Sequence, residues 1–169
     1  HIDGFRFDLM GLHNVVVMNE IRKAVNELPN GQNILMYGEP WSAGPSNMED
    51  GSVAALKKNI QYLDEGIGIF CDDTRDAIKG HVFYGEVPGF VNGGENFEKK
   101  IESSVVAFCD GSEDYLPKSP AQIISYVSAH DNFTLYDKLI ETMRKEKDYL
   151  KKDEQLIEVN KLTAAIVFT

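Results

Sequence analysis

Apolar residues change their period several times along the chain, and each change marks an element. Residues 2–8 (Ile-Asp-Gly-Phe-Arg-Phe-Asp) alternate as a short strand. Side chains two apart share a face, so Ile2, Gly4, Arg6 and Asp8 lie on one side and Phe5 and Phe7 on the other. That division predicts a polar site within and helices without. Asn14 is a good helix N-cap, and Met18, Ile21, Val25 and Leu28 follow at spacings of 3, 4 and 3, the period of an amphipathic helix that Pro29-Asn30-Gly31 ends. The run Ile34 to Glu39 reads as a buried parallel strand closing on a carboxylate.

Beyond it, 41–51 reads as loop, and Val53, Leu56 and Ile60 as a short helix. Residues 67–72 form a third strand candidate, and 80–94, with five glycines and one proline, a long loop. Phe97, Ile101, Val105 and Phe108 mark a further helix. Pro117 and Pro120 punctuate before a fourth strand at 123–128, and helices over 134–150 and 154–168, the latter capped by Asp153, complete the chain. Strands alternating with helices predict an α/β fold with a parallel sheet.

Composition narrows the function classes. The 169 residues fit one domain by length, and 43% hydrophobic with 26% charged residues is globular rather than disordered. No apolar run approaches the roughly 18 residues of a membrane span. A net charge of −10 repels phosphate backbones and anionic membranes, so neither nucleic acid nor membrane is an expected partner, whereas neutral sugars remain open. Cys71 and Cys109 lack metal-ligand spacing and read as buried reduced thiols, with one disulfide as the alternative. The chain opens on His1 and closes on an apolar segment, so both ends read as cut through structure. A piece of a larger protein is expected, with localisation left open.

The polar residues collect where strands finish: Asp8, Glu39, Asp72-Asp73, and His130-Asp131 beyond the fourth strand. Ligands of parallel α/β folds bind outside the carboxyl ends of strands. Several carboxylates on one rim suit glycoside cleavage, in which one carboxylate attacks or steadies the anomeric carbon and another delivers a proton to the leaving oxygen. Each residue alone has a plainer reading. Arg6 and Asp8 form a structural ion pair, Glu39 is a solvated strand end, His130 is a hydrogen-bonded histidine, and Trp41 is a packing residue. Asp72, Asp73 and Asp76 lack the spacing of a calcium loop, so pairing with Arg75 or solvation is expected there, and no metal or cofactor.

Together the segments resemble a known family. Gly4-Phe5-Arg6-Phe7-Asp8-Leu9-Met10-Gly11-Leu12-His13 is similar to the second conserved region of the α-amylase family, glycoside hydrolase family 13. Tyr37-Gly38-Glu39-Pro40-Trp41 is similar to its third, and Tyr126-Val127-Ser128-Ala129-His130-Asp131-Asn132 to its fourth. The Leu9–His13 extension and Asp72-Asp73-Thr74-Arg75-Asp76 resemble the type I pullulanases, the α-1,6 debranching branch. Asn14 stands where that branch commonly has Asp, a change between two helix-capping residues.

The resemblance implies a (β/α)8 TIM barrel, of which residues 1–169 would be a catalytic-domain fragment covering about strands four to seven. It implies a retaining mechanism with Asp8 as nucleophile, Glu39 as general acid and base, and Asp131 as the third carboxylate. Arg6, His13, Trp41, His130 and Asn132 would contact the substrate, an α-glucan such as pullulan, branched dextrin or glycogen. An isoamylase-like or transferase activity is the alternative within the family. Outside it stands a non-catalytic, sugar-binding or self-associating fragment, since an opened barrel exposes strand edges that favour pairing with a second copy. An unrelated binding module would need three coincident motifs in order.

Overall fold

The computed structural model describes residues 2–143 and 153–169. They fall into two compact units: residues 2–70 with 107–124, and 71–106 with 125–143 and 153–169.

The first unit carries a four-stranded parallel sheet in the order β1 (Gly4–Phe7), β2 (Leu35–Gly38), β3 (Gly68–Phe70), β4 (Ile123–Ile124). The predicted parallel α/β class is therefore observed. Helix α1 (Val15–Asn26) begins where expected: the Asn14 side chain accepts from the Val17 amide at 2.8 Å. Its buried face is Val15, Met18, Arg22 and Val25, whereas Leu28 is exposed. Arg22 replaces an apolar anchor. Its guanidinium donates to the carbonyls of Gly31 and Ile34, both at 2.7 Å, and to Asn26 Oδ1 at 2.5 Å. The turn into β2 is thus tied to the helix by a buried cation whose charge is spread over three acceptors.

Three details depart from the sequence reading. β2 is not buried throughout, because Met36 is covered while Leu35 is exposed. The predicted helix around Val53–Ile60 is a 3-10 helix at Lys57–Tyr62, preceded by an antiparallel bridge between Asn14 and Ala54. The fourth strand stops at Ile124 instead of 128. Its partner β3 ends opposite at Phe70, and a strand without a hydrogen-bonded neighbour has no ladder to extend. Phe108 and Tyr115 add a ring pair, 5.7 Å between centroids, to the core of this unit.

The second unit is helical. α2 (Asp72–Lys79), α3 (Glu98–Val105), α4 (Leu135–Met143) and α5 (Asp153–Val167) share a core of Ile78, Val91, Leu135, Leu139, Met143 and Leu156. α2 is an element that the apolar spacing does not predict, although Asp72 and Asp73 in its first turn and Lys79 in its last suit the helix dipole. α3 is shorter than predicted, since Ala107 and Phe108 have positive φ, and its buried side chains are Ser103 and Ser104. Cys71 is buried but Cys109 is only half-buried, which corrects that expectation, and neither is in a disulfide. The expected helical residues 144–150 and His1 lie outside the described residues.

Among the described residues of this unit two lysines are buried, and each holds a loop. Lys79 donates to the Phe133 carbonyl at 2.5 Å. Lys138 donates to the carbonyls of His81 and Gly85 at 3.1 Å and to that of Tyr84.

Candidate active site

β1 and β2 run parallel in a register that pairs Phe7 with Gly38, so the residues just past each strand emerge side by side. Glu39 leaves β2 with its amide bonded to the Phe7 carbonyl at 3.0 Å. Close approach requires glycine at Gly38, where a Cβ would meet Phe7 O at 2.7 Å and Met10 Cβ at 2.9 Å. Past Asp8 the chain turns sharply at Leu9, whose φ of 43° is a left-handed conformation that a branched side chain rarely adopts. The turn aims the Leu9 amide at Glu39 Oε2, at 2.7 Å.

Arg6 completes the arrangement. One guanidinium nitrogen donates to Asp8 and the other to Glu39 Oε1 at 2.6 Å. Its carbon sits 5.8 Å from the Phe70 ring centroid, and Phe70 in turn meets Tyr37 edge-on at 5.6 Å. The bond to Asp8, opposed by partial desolvation and aided by the charge of Glu39, raises the Arg6 pKa above its usual value. The two carboxylates differ in setting: the Asp8 side chain is 73% exposed and that of Glu39 6%. One carboxylate is open to solvent and the other is sheltered.

Of the other predicted site residues in this unit, Trp41 is half-buried, and its carbonyl accepts from the Gly11 amide at 3.1 Å. His13 is exposed, with its ring edge-on to Phe7 at 6.3 Å. A shallow cleft of about 460 Å³ lined by Asn14, Val16, Asp50, Val53 and Tyr62 includes none of the carboxylate cluster, and we assign it no part in the site.

Asp131, His130 and Asn132 belong to the second unit, on the irregular segment between β4 and α4. His130 Nε2 lies 3.6 Å from Asp131 Oδ1, both side chains are largely exposed, and Asn132 is left-handed at φ 60°. Sequence reasoning missed how this segment is held. Arg75 Nη1 donates to the Tyr126 hydroxyl at 2.8 Å, with the guanidinium 5.7 Å from the ring centroid. The expected pairing of Arg75 with the local acids is observed at Asp76, 2.7 Å, and Asp73 pairs with Lys100 at 3.1 Å. Burial pushes the Tyr126 phenol up to about 12 against the pull of Arg75. The signal for these partners was present in the run from Asp72 to Lys79, which places Arg75 and Lys79 one turn apart once it is read as a helix.

No family model matches the chain. It is 34% identical over 148 residues to pullulanase A of Streptococcus pneumoniae, covering 86% of this chain and 11% of that protein. It is 33% identical over 171 residues to the pullulanase of Bacillus subtilis, covering 99% of this chain and 22% of that one. The apo crystal structure of pullulanase from Paenibacillus barengoltzii superposes with a TM-score of 0.86 at 36% identity, over 100% of this chain and 25% of that one. The same enzyme complexed with maltohexaose and α-cyclodextrin gives 0.83. The chain therefore spans a quarter or less of the length of these relatives.

The fold and the cluster define a parallel α/β protein with an arginine-bridged pair of carboxylates at neighbouring strand ends. By sequence and fold together, the chain belongs to the pullulanase family and corresponds to a segment of those longer proteins.

Proposed function

We propose that this chain is part of the catalytic barrel of a debranching glycoside hydrolase that cleaves α-1,6-glucosidic bonds by double displacement. The observation that carries the reading is the bridge from one guanidinium to Asp8 and Glu39 at the ends of two adjacent parallel strands. In this mechanism an Asp8 carboxylate oxygen bonds to the anomeric carbon as the bond from that carbon to the O6 leaving group breaks. Glu39 gives its proton to the departing oxygen. Glu39 then takes a proton from water, the water oxygen bonds to the anomeric carbon, and Asp8 is released, so two inversions restore the α configuration. By match to the family motif, Asp131 is the third carboxylate and holds sugar hydroxyls, aided by His130 and Asn132. Trp41 and His13 contact sugar, while Arg6 holds Asp8 and Glu39 side by side through its two guanidinium nitrogens.

The maltooligosaccharide-bound relative supports an α-glucan as the substrate. The 169-residue chain alone is expected to show little or no activity, because much of a barrel's sugar-binding shell would lie outside it. The test is reducing-sugar release from pullulan beside an Asp8→Ala control. Maltotriose released only by the unsubstituted chain establishes α-1,6 hydrolysis, and equal release by both removes Asp8 from its role. Isoamylase-like or transferase products in the same assay would replace the hydrolytic reading.

A second reading is favoured by the sheet itself. β1 is an edge strand, and Ile2, Phe5 and Leu35 on or beside it are exposed. An unpaired apolar edge recruits another strand, so the isolated chain is expected to self-associate. Sedimentation velocity showing a single monomeric species would rule this out.

A further inference from the structure

The segment from Ser125 to Thr134 carries His130, Asp131 and Asn132 yet has no sheet or helix to stiffen it. Outside the reacting groups, the second unit contains two cations one helical turn apart on α2, and they grip this segment near its two ends. Arg75 meets Tyr126 through a 2.8 Å hydrogen bond and a guanidinium–ring contact at 5.7 Å. Lys79, itself 1% exposed, meets the Phe133 carbonyl at 2.5 Å. Between and behind these points, Ser128 Oγ accepts from the Leu135 amide at 2.8 Å.

Burying a lysine is costly unless its ammonium is bonded, and here the bond goes to a backbone carbonyl. Placing both cations at i and i+4 on one short helix fixes the span they can bridge. An eight-residue stretch pinned at two points loses far more freedom than one pinned at one.

We propose that Arg75 and Lys79 are positioning residues: a two-point clamp by which α2 sets the conformation of the segment presenting His130, Asp131 and Asn132 to substrate. This rests on the reading of Asp131 as a substrate-contacting carboxylate. Neither cation touches the reacting atoms in it, and each acts through Tyr126 or Phe133.

The test compares the 169-residue chain with Arg75→Met, Lys79→Met, the double variant and the conservative Lys79→Arg. Two quantities are read: amide hydrogen exchange by segment, and the imidazole proton resonances of His130 and His13. In the double variant, exchange over 125–134 is expected to accelerate about tenfold or more. The His130 resonance shifts while that of His13 stays in place, and exchange along α4 and in β1–β3 is unchanged. Lys79→Arg returns both readouts toward the starting values.

Unchanged exchange over 125–134, or acceleration spread evenly through 71–106 and 125–143, overturns the clamp. If the double variant does not fold, Arg75→Met alone decides on the same criteria, since a methionine retains apolar contact with the Tyr126 ring. Equal pullulan cleavage by the chain and its Asp8→Ala control bears on the hydrolase reading and leaves these readouts as they are. Unchanged exchange removes the clamp and leaves the hydrolase reading as it is.

Discussion

Arg6 holds Glu39 at 2.6 Å across two neighbouring parallel strands, and the same guanidinium also holds Asp8. The sheltered carboxylate depends on this contact more than the open one does. Among the described residues the second donor to Glu39 is the Leu9 amide, whereas the Asp8 side chain is largely exposed. Arg6→Met is expected to destabilise the chain by about 2 kcal/mol, the cost of a buried acceptor losing its charged partner. Asp8→Asn should change stability by less than about 1 kcal/mol, as for an exposed ion pair. Urea denaturation of both variants gives the comparison, and the reverse order would remove Glu39 as the member that needs the arginine.

Gly38 sets how closely β2 approaches β1 just before Glu39. In Gly38→Ala the added carbon would lie 2.7 Å from the Phe7 carbonyl oxygen and 2.9 Å from Phe7 Cβ. Backbone must move, so the substitution is expected to cost roughly 1–3 kcal/mol. A thermal midpoint equal to that of the parent chain would contradict the packing described.

Arg22 spans the turn from α1 to β2 with hydrogen bonds to three acceptors. Arg22→Met keeps the apolar stem and removes all three bonds, leaving the Gly31 carbonyl with the Ile34 amide as its remaining donor. A loss of about 3 kcal/mol is expected. Amide exchange should rise first at residues 31–35, before the rest of the first unit.

The alkaline stability profile should show two opposing limbs. Lys79 is pushed down from 10.5 to about 8, chiefly by burial and next by Arg75. Asp76 beside it and Asp137 on α4 pull the other way, and Lys138 adds to the depression. Between pH 8 and 10.5 the unfolded chain binds the proton that folded Lys79 has released, so this group makes the fold more stable as pH rises. Tyr126 has the opposite sign. Folded, it keeps its proton to about 12 against 10.0 when free, so its contribution falls between those values. Denaturation at stepped pH checks both: Lys79→Met should remove the rising limb relative to the parent chain, and Tyr126→Phe the falling one.

What could be read without coordinates follows from local physics. The alternation at residues 2–8, the apolar run ending at Glu39 and the 3-4-3 spacing after Asn14 each specify one element, and β1, β2 and α1 formed where those patterns stood. Their order was enough for a parallel α/β class, and the three motifs were enough for the family. α2 escapes such a reading because its eight residues include only two apolar side chains, Ala77 and Ile78, and the rest of its buried face is Thr74 and Lys79. The apolar run at 123–128 overstates the fourth strand because strand length depends on the neighbour, and β3 ends at Phe70.

The sequence by itself determined element types, their order, and which residues could do carboxylate chemistry, because these depend on side-chain identity and short-range spacing. Only the tertiary structure decided that one guanidinium serves both Asp8 and Glu39, that Leu9 turns left-handed to give Glu39 a second donor, and that Arg75 and Lys79 grip the Asp131 segment. Those contacts join residues up to 54 positions apart. They form only when strand register and helix packing bring the partners together, and no local period encodes that meeting.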